Sequence, residues 1–210
     1  MTELEAVNMI LGTIGEAGVT SLAADVNEVS DQGLARRTLN EVVTDVQSEG
    51  WSWNTDRNLE VQPAGLPAQT YTMSADTLSA KFSPNQYPDK QYVLRGLRIY
   101  DRNRQTFDIG ANNNRAPIYA CERISELPWA QMPHCAQQYI TVRAARIFSD
   151  RYLASSVVFT YTVADEDQAR TALMRQEEAT LDNNFLWGND RGMGQGLGYI
   201  PSMGTRYRTR

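Results

Sequence analysis

An α+β fold is predicted: an antiparallel helical bundle with an inserted antiparallel β-rich region and a flexible C-terminal arm. Three observations predict it. Apolar residues recur at three-and-four spacing in the first and last thirds of the 210-residue chain, which lines them along one face of a helix. That periodicity vanishes between Asp56 and Pro128, where short β-like segments alternate with Pro, Gly, Asn and Asp. From Gly188 onward six glycines and four arginines stand against one acidic residue, a composition that cannot bury enough apolar surface to fold alone. The expected boundaries are 1–55 with 129–187 for the bundle, 56–128 for the insertion and 188–210 for the arm.

Taken in order, the first helix carries Leu4, Val7, Ile10, Leu11 and Ile14 on its apolar face. Thr2 followed by Glu5 is a capping-box pattern, in which each side chain satisfies an orphaned backbone N–H. Gly15 and Gly18 stop it. A second helix begins between Asp25 and Asp31, with a stripe of Ala35, Leu39, Val42, Val43 and Val46, and Gly50 ends it. Strands are expected at Leu59–Gln62, Gln69–Tyr71, Gln91–Leu94, Leu97–Asp101, Thr106–Ile109 and Ile118–Ile124. The clearest hairpin is LRIYDRNRQTFDI, with Asp101 to Arg104 as its turn. The stretch around Leu78 reads as a single helical turn. Pro133 suits the first position of a third helix, where its missing N–H is no loss, and Ala136, Ile140, Ala144, Ile147 and Phe148 form its stripe. Residues 155–163 are a connector. A fourth helix runs from Ala164 to about Phe185, with acidic residues at its positive end and Ala169, Ala172, Leu173 and Gln176 facing inward.

Twenty basic against twenty-five acidic residues give a net charge of −5. This argues against a general nucleic-acid-binding surface, which needs clustered cations to neutralise phosphates. Only Lys81 and Lys90 among the basic residues are lysines; arginine, with its planar bidentate fork, suits protein interfaces better. Cys121 and Cys135 fit a reduced intracellular assembly, with a single disulfide left open. The start MTELEAV shows no basic region followed by an apolar one, so no signal peptide is expected, and no run approaches the ~20 apolar residues of a membrane span.

The run A-V-N-x-I-L-x-x-I-G-E from Ala6 to Glu16, with Ser21-Leu22, A-R-R-x-L-N from Ala35 to Asn40, and Q-S-x-G-W-x-x-N from Gln47 to Asn54, resembles the N-terminal half of the tail tubular protein A family. Met132, Pro133, Cys135, Ala145, Arg146, Phe148, Arg151, Asp167, Ala169 and Arg170 extend the resemblance through the second half. Those proteins are adaptors of short-tailed, podovirus-type phages. The resemblance implies a structural virion protein, made in the host cytoplasm and located in the tail. Twelve copies would form a ring joining the portal to a nozzle similar to tail tubular protein B and to the tail fibres, with genomic DNA passing through. It implies no enzyme activity, cofactor or metal. Under it, Leu197, Tyr199, Ile200, Arg206, Arg208 and Arg210 are expected to order on the portal, and Arg36 and Arg37 to lie at a subunit contact.

Catalytic chemistry finds little support in the residues themselves. His134 is the one histidine, and its neighbour Cys135 points to a different side of the helix. A helix-start histidine beside a small buried cysteine is the expected arrangement. Two scattered cysteines and one histidine lack zinc-ligand spacing. Glu122 and Glu126 could serve a polysaccharide-cleaving enzyme as paired carboxylates, though surface or subunit charges are expected. Gly192, Gly194, Gly196 and Gly198 lack the strand and helix of a phosphate loop. Trp51, Trp53, Tyr100 and Tyr119 could stack on bases or sugars, but core positions are expected.

Overall fold

The computed structural model describes residues 1–22, 30–64, 70–82, 91–109, 117–153 and 163–181. These form two compact units: Met1–Trp53 with the described part of Pro128–Arg210, and Asn54–Leu127. The expected arm 188–210 and most of the connector at 155–163 lie outside the described residues.

The helical unit contains α1 (Glu3–Gly12), α2 (Asp31–Ser48), α3 (His134–Leu153) and α4 (Val163–Leu181). The capping box on α1 is present: the Glu5 N–H donates to Thr2 Oγ1 at 3.2 Å, and the Thr2 N–H donates to Glu5 Oε2 at 2.8 Å. Gly15, with φ of +80°, turns the chain in a conformation that costs a side-chain-bearing residue about 1–2 kcal/mol. Asn8 then holds the returning loop, accepting from the Val19 N–H at 2.8 Å and donating to the Val19 carbonyl at 3.0 Å. Ser30 caps α2 through the Gly33 N–H, and Gly50 at φ +78° follows its end.

Ala6, Val7, Ile10 and Leu11 of α1 and Ala35, Leu39, Val42 and Val46 of α2 are buried, as their spacing predicts. Both helices pack on α3, which buries Ala136, Tyr139, Ile140, Ala144, Ala145 and Phe148 and is the central helix. Ion pairs give the directions. Arg143 reaches Glu49 while Arg151 reaches Glu41, so α2 and α3 are antiparallel; Arg146 reaches Glu166 while Tyr139 meets Arg170, so α3 and α4 are too. The fourth helix differs from expectation. Its buried residues are Leu173 and Glu177, whereas Ala172 and Gln176 are exposed. With α3 as its main neighbour, α4 needs only a narrow inner line, and a carboxylate occupies part of it.

In the second unit, β1 (Thr55–Val61), β7 (Ile118–Ser125) and β4 (Thr77–Lys81) form an antiparallel sheet in the order β1-β7-β4. Thr55 faces Ile124 and Val61 faces Ile118; on the other edge Lys81 faces Glu122. The expected helical turn around Leu78 is corrected: Ala75 and Asp76 form a turn in which the Thr77 N–H donates to the Ser74 carbonyl at 3.1 Å, while Thr77 and Leu78 begin the edge strand β4, where pairing with β7 outweighs the weak helical preference of Ala-Asp-Thr-Leu. Two short ladders join β2 (Pro63–Ala64) to β3 (Thr70–Tyr71) and β5 (Tyr92–Arg95) to β6 (Arg98–Asp101).

The hairpin expected from LRIYDRNRQTFDI is also corrected. β6 pairs back with β5 around Gly96-Leu97, and Gly96, at φ +60°, is the first of two central turn residues, the position glycine holds in a type II′ hairpin. Asp101 and Thr106 form only an isolated bridge. The core of this unit is Val61, Tyr71, Met73, Tyr92, Ile99, Ile109, Ile118 and Ala120.

Candidate functional site

Arginine–carboxylate pairs dominate the polar architecture of the helical unit. Arg170 Nη2 lies 3.0 Å from Glu49 Oε2, and its Nη1 donates to Glu49 Oε1 at 3.2 Å and to the Tyr139 hydroxyl at 2.9 Å. Arg143 shares the Tyr139 hydroxyl at 3.1 Å and stands 3.8 Å from Glu166. Arg146 binds Glu166 at 2.5 Å and Asp150 at 3.1 Å. Burial works against charging Arg170, but the Glu49 and Tyr139 oxygens outweigh it and hold the guanidinium above its ordinary value. Every cation in this cluster has an oxygen partner, so it fastens α4 to α3 and to the end of α2 rather than presenting free charge.

The β unit has a second network. Arg123 lies 3.2 Å from Asp56 and 3.0 Å from Asp76, and donates to Ser74 Oγ at 2.8 Å. Lys81 pairs with Glu122 at 2.9 Å.

The β5–β6 hairpin is different, with Arg95 and Arg98 beside its turn and Arg102 and Arg104 just past the other end of β6. Arg95, Arg98, Arg102 and Arg104 are exposed, and among the described residues none of these guanidiniums pairs with a carboxylate. The nearby Asp101 is buried, its carboxylate accepting from the Asn103 and Arg104 backbone N–H groups at 2.9 and 3.2 Å. Arg95 lies 3.6 Å over the Tyr100 ring and Arg98 lies 4.3 Å over Phe107, contacts that orient the cations without neutralising them. Sequence reasoning missed this group. The signal was there: four arginines within ten residues, from Arg95 to Arg104.

The residues singled out from sequence fall as follows. Arg36 donates Nε to Glu3 Oε1 at 2.8 Å, an ion pair within the chain, whereas Arg37 is exposed. Leu197, Tyr199, Ile200, Arg206, Arg208 and Arg210 lie outside the described residues, as do Gly192, Gly194, Gly196 and Gly198. Trp51 is buried, its indole N–H donating to the Val46 carbonyl at 2.8 Å; Trp53 and Tyr119 are half-buried and Tyr100 is buried.

His134 is exposed at the start of α3. Cys135 is a free thiol whose pKa burial raises, the opposite of what activates a nucleophile. Glu122 pairs with Lys81 at 2.9 Å, and Glu126 lies four positions further along the chain, just past the end of β7. Among the described residues no group of three or more metal-binding side chains occurs, and no helix is long and apolar enough to cross a membrane.

Against known protein families, the model described as tail tubular protein matches residues 4–183. Among curated proteins none matches the chain.

Proposed function

The chain belongs to the tail tubular protein family, a structural component of the phage tail, and on that premise we propose that it is a ring-forming adaptor joining the portal to the tail nozzle and lining the DNA channel. The observation that carries this reading is the family match, which spans both the helical unit and the β unit. Twelve copies would form the ring, with the tail fibres attached to it. The protein would act by shape and contact, without catalysis. A net charge of −5 and a near absence of lysine support a channel wall that passes DNA without holding its phosphates.

Within this reading the Gly/Arg-rich segment, with Leu197, Tyr199, Ile200, Arg206, Arg208 and Arg210, orders against the portal. Its glycine hinges, apolar anchors and arginines support that role. Deleting residues 188–210 should abolish portal binding while leaving the helical unit folded, since every buried residue of α1 to α4 precedes the cut. Undiminished attachment would remove the arm from the model.

Mass measurement and electron microscopy of the purified chain, with and without portal, test the ring. The expected result is a twelve-fold annulus on the portal. A chain that stays monomeric with portal present overturns the adaptor reading.

A further inference from the structure

We propose that the arginine-rich β5–β6 hairpin, from Arg95 to Arg104, of one copy docks on the exposed flank of α4 in a second copy, and that this pairing is the head-to-tail contact of the ring. The inference rests on the ring reading above and adds the surfaces that close it.

The two surfaces match in chemistry. At the β5–β6 turn Arg95 and Arg98 flank Leu97, which is 36% exposed, and Arg102 and Arg104 follow the other end of β6; none of the four has a carboxylate partner among the described residues. Arg36, Arg123, Arg143, Arg146, Arg151 and Arg170 have acidic partners, while Arg37 and Arg175 are exposed on the helices. On α4, Val163 is 63% and Met174 39% exposed, and Asp167 and Glu178 are exposed beside them. At 3.6 residues per turn these four positions fall within about 60° of helix arc, forming one line. One surface is apolar with cations and the other apolar with anions.

Overall composition agrees. Residues 54–127 hold nine basic and eight acidic residues; the rest of the chain holds eleven and seventeen. Two unlike patches on one chain make a heterologous contact, which closes into a ring when the rotation permits. Arginine suits it, because each guanidinium can take a carboxylate bidentately, and stacking of Arg95 and Arg98 on aromatic rings reduces the ordering cost of binding.

The test uses full-length chains assembled on portal. Arg102→Glu with Arg104→Glu touches no packed side chain and should lower ring yield at least about tenfold, since like charges then meet across the contact. Adding Asp167→Arg with Glu178→Arg should restore yield to within about threefold. Separately, chains carrying Leu97→Cys mixed with chains carrying Met174→Cys, all with Cys121→Ser and Cys135→Ser, should form an interchain disulfide on assembly.

Normal assembly of the double glutamate variant, loss without rescue, or no interchain crosslink in intact rings each overturns the proposal. Duplex DNA binding by the wild type that this variant abolishes would assign the hairpin to phosphates instead, and overturns it too. Failure of the wild type to form rings on portal is a different result: it overturns the adaptor reading.

Discussion

Glu177 and Ser52 stand 125 positions apart in the chain, yet the Glu177 carboxylate accepts the Ser52 backbone N–H at 2.6 Å and the Ser52 hydroxyl at 2.8 Å. The side chain is 5% exposed, so both bonds form largely away from water. Removing the acceptor leaves a backbone donor with no partner. Glu177→Ala should therefore lower stability by about 1–3 kcal/mol and the thermal midpoint by about 2–10 °C. Glu177→Gln keeps one carbonyl acceptor and should lose less. Equal midpoints for wild type and Glu177→Ala in a thermal scan would sink this account of how α4 is held.

That clasp also shows where sequence reading stops. The apolar lines on α1 and α2 were legible because a helix that buries Val7, Leu11, Leu39 and Val46 must repeat them at helical spacing. The Thr2–Glu5 cap was legible because it is local. Leu173 was found on α4, but its partner on the inner line is a carboxylate, and no periodicity rule predicts a buried charge whose donor is Ser52. The strand β4 was harder to read, since Thr77–Lys81 alternates polar and apolar residues over only five positions and is fixed as a strand by pairing with β7. The β5–β6 hairpin was readable from Gly96, but the Asp101–Arg104 loop is richer in turn residues and is the stronger local turn signal. The arginine hairpin escaped because arginine density marks a candidate surface, while the absence of acidic partners among the described residues is a property of the folded chain.

Acid should loosen the β unit through Asp76. A hydrogen bond with the Ser74 side chain, with the Arg123 guanidinium 3.0 Å away, holds its carboxyl below the ordinary 3.8. A carboxylate with a depressed folded pKa stabilises the fold above its unfolded pKa, and that contribution is lost as pH falls through the folded value. Asp76→Asn removes the titration. The gap in thermal midpoint between wild type and Asp76→Asn should therefore be largest at neutral pH and shrink below about pH 4. A gap that stays constant from pH 7 to pH 2 would show that Asp76 contributes nothing to acid sensitivity.

Gly96 separates backbone strain from crowding, because a Cβ built there meets nothing within 4 Å while φ is +60°. Gly96→Ala should cost about 1–2 kcal/mol from the left-handed conformation alone. Asparagine recurs beside glycine at the positive-φ positions of primed hairpin turns, so Gly96→Asn should cost less. Urea unfolding of the three proteins ranks them as glycine, asparagine, alanine, and indistinguishable midpoints would mean the turn relaxes to another form.

Arg36 and Arg37 are sequence neighbours on α2 with different surroundings, so they separate folding from assembly. Arg36 is tied to Glu3 at 2.8 Å with both side chains 20–30% exposed, a pair of the kind that contributes up to about 1 kcal/mol. Arg37 is exposed, and surface substitutions of that kind usually stay within about 0.5 kcal/mol. Arg36→Ala should thus shift the unfolding midpoint slightly, while Arg37→Ala leaves it in place. If α2 takes part in a subunit contact, Arg37→Glu should lower ring yield on portal although its monomer melts like the wild type. Rings forming at full yield with Arg37→Glu would exclude this flank of α2 from the contact and confine the role of Arg36 to holding α1 and α2 together.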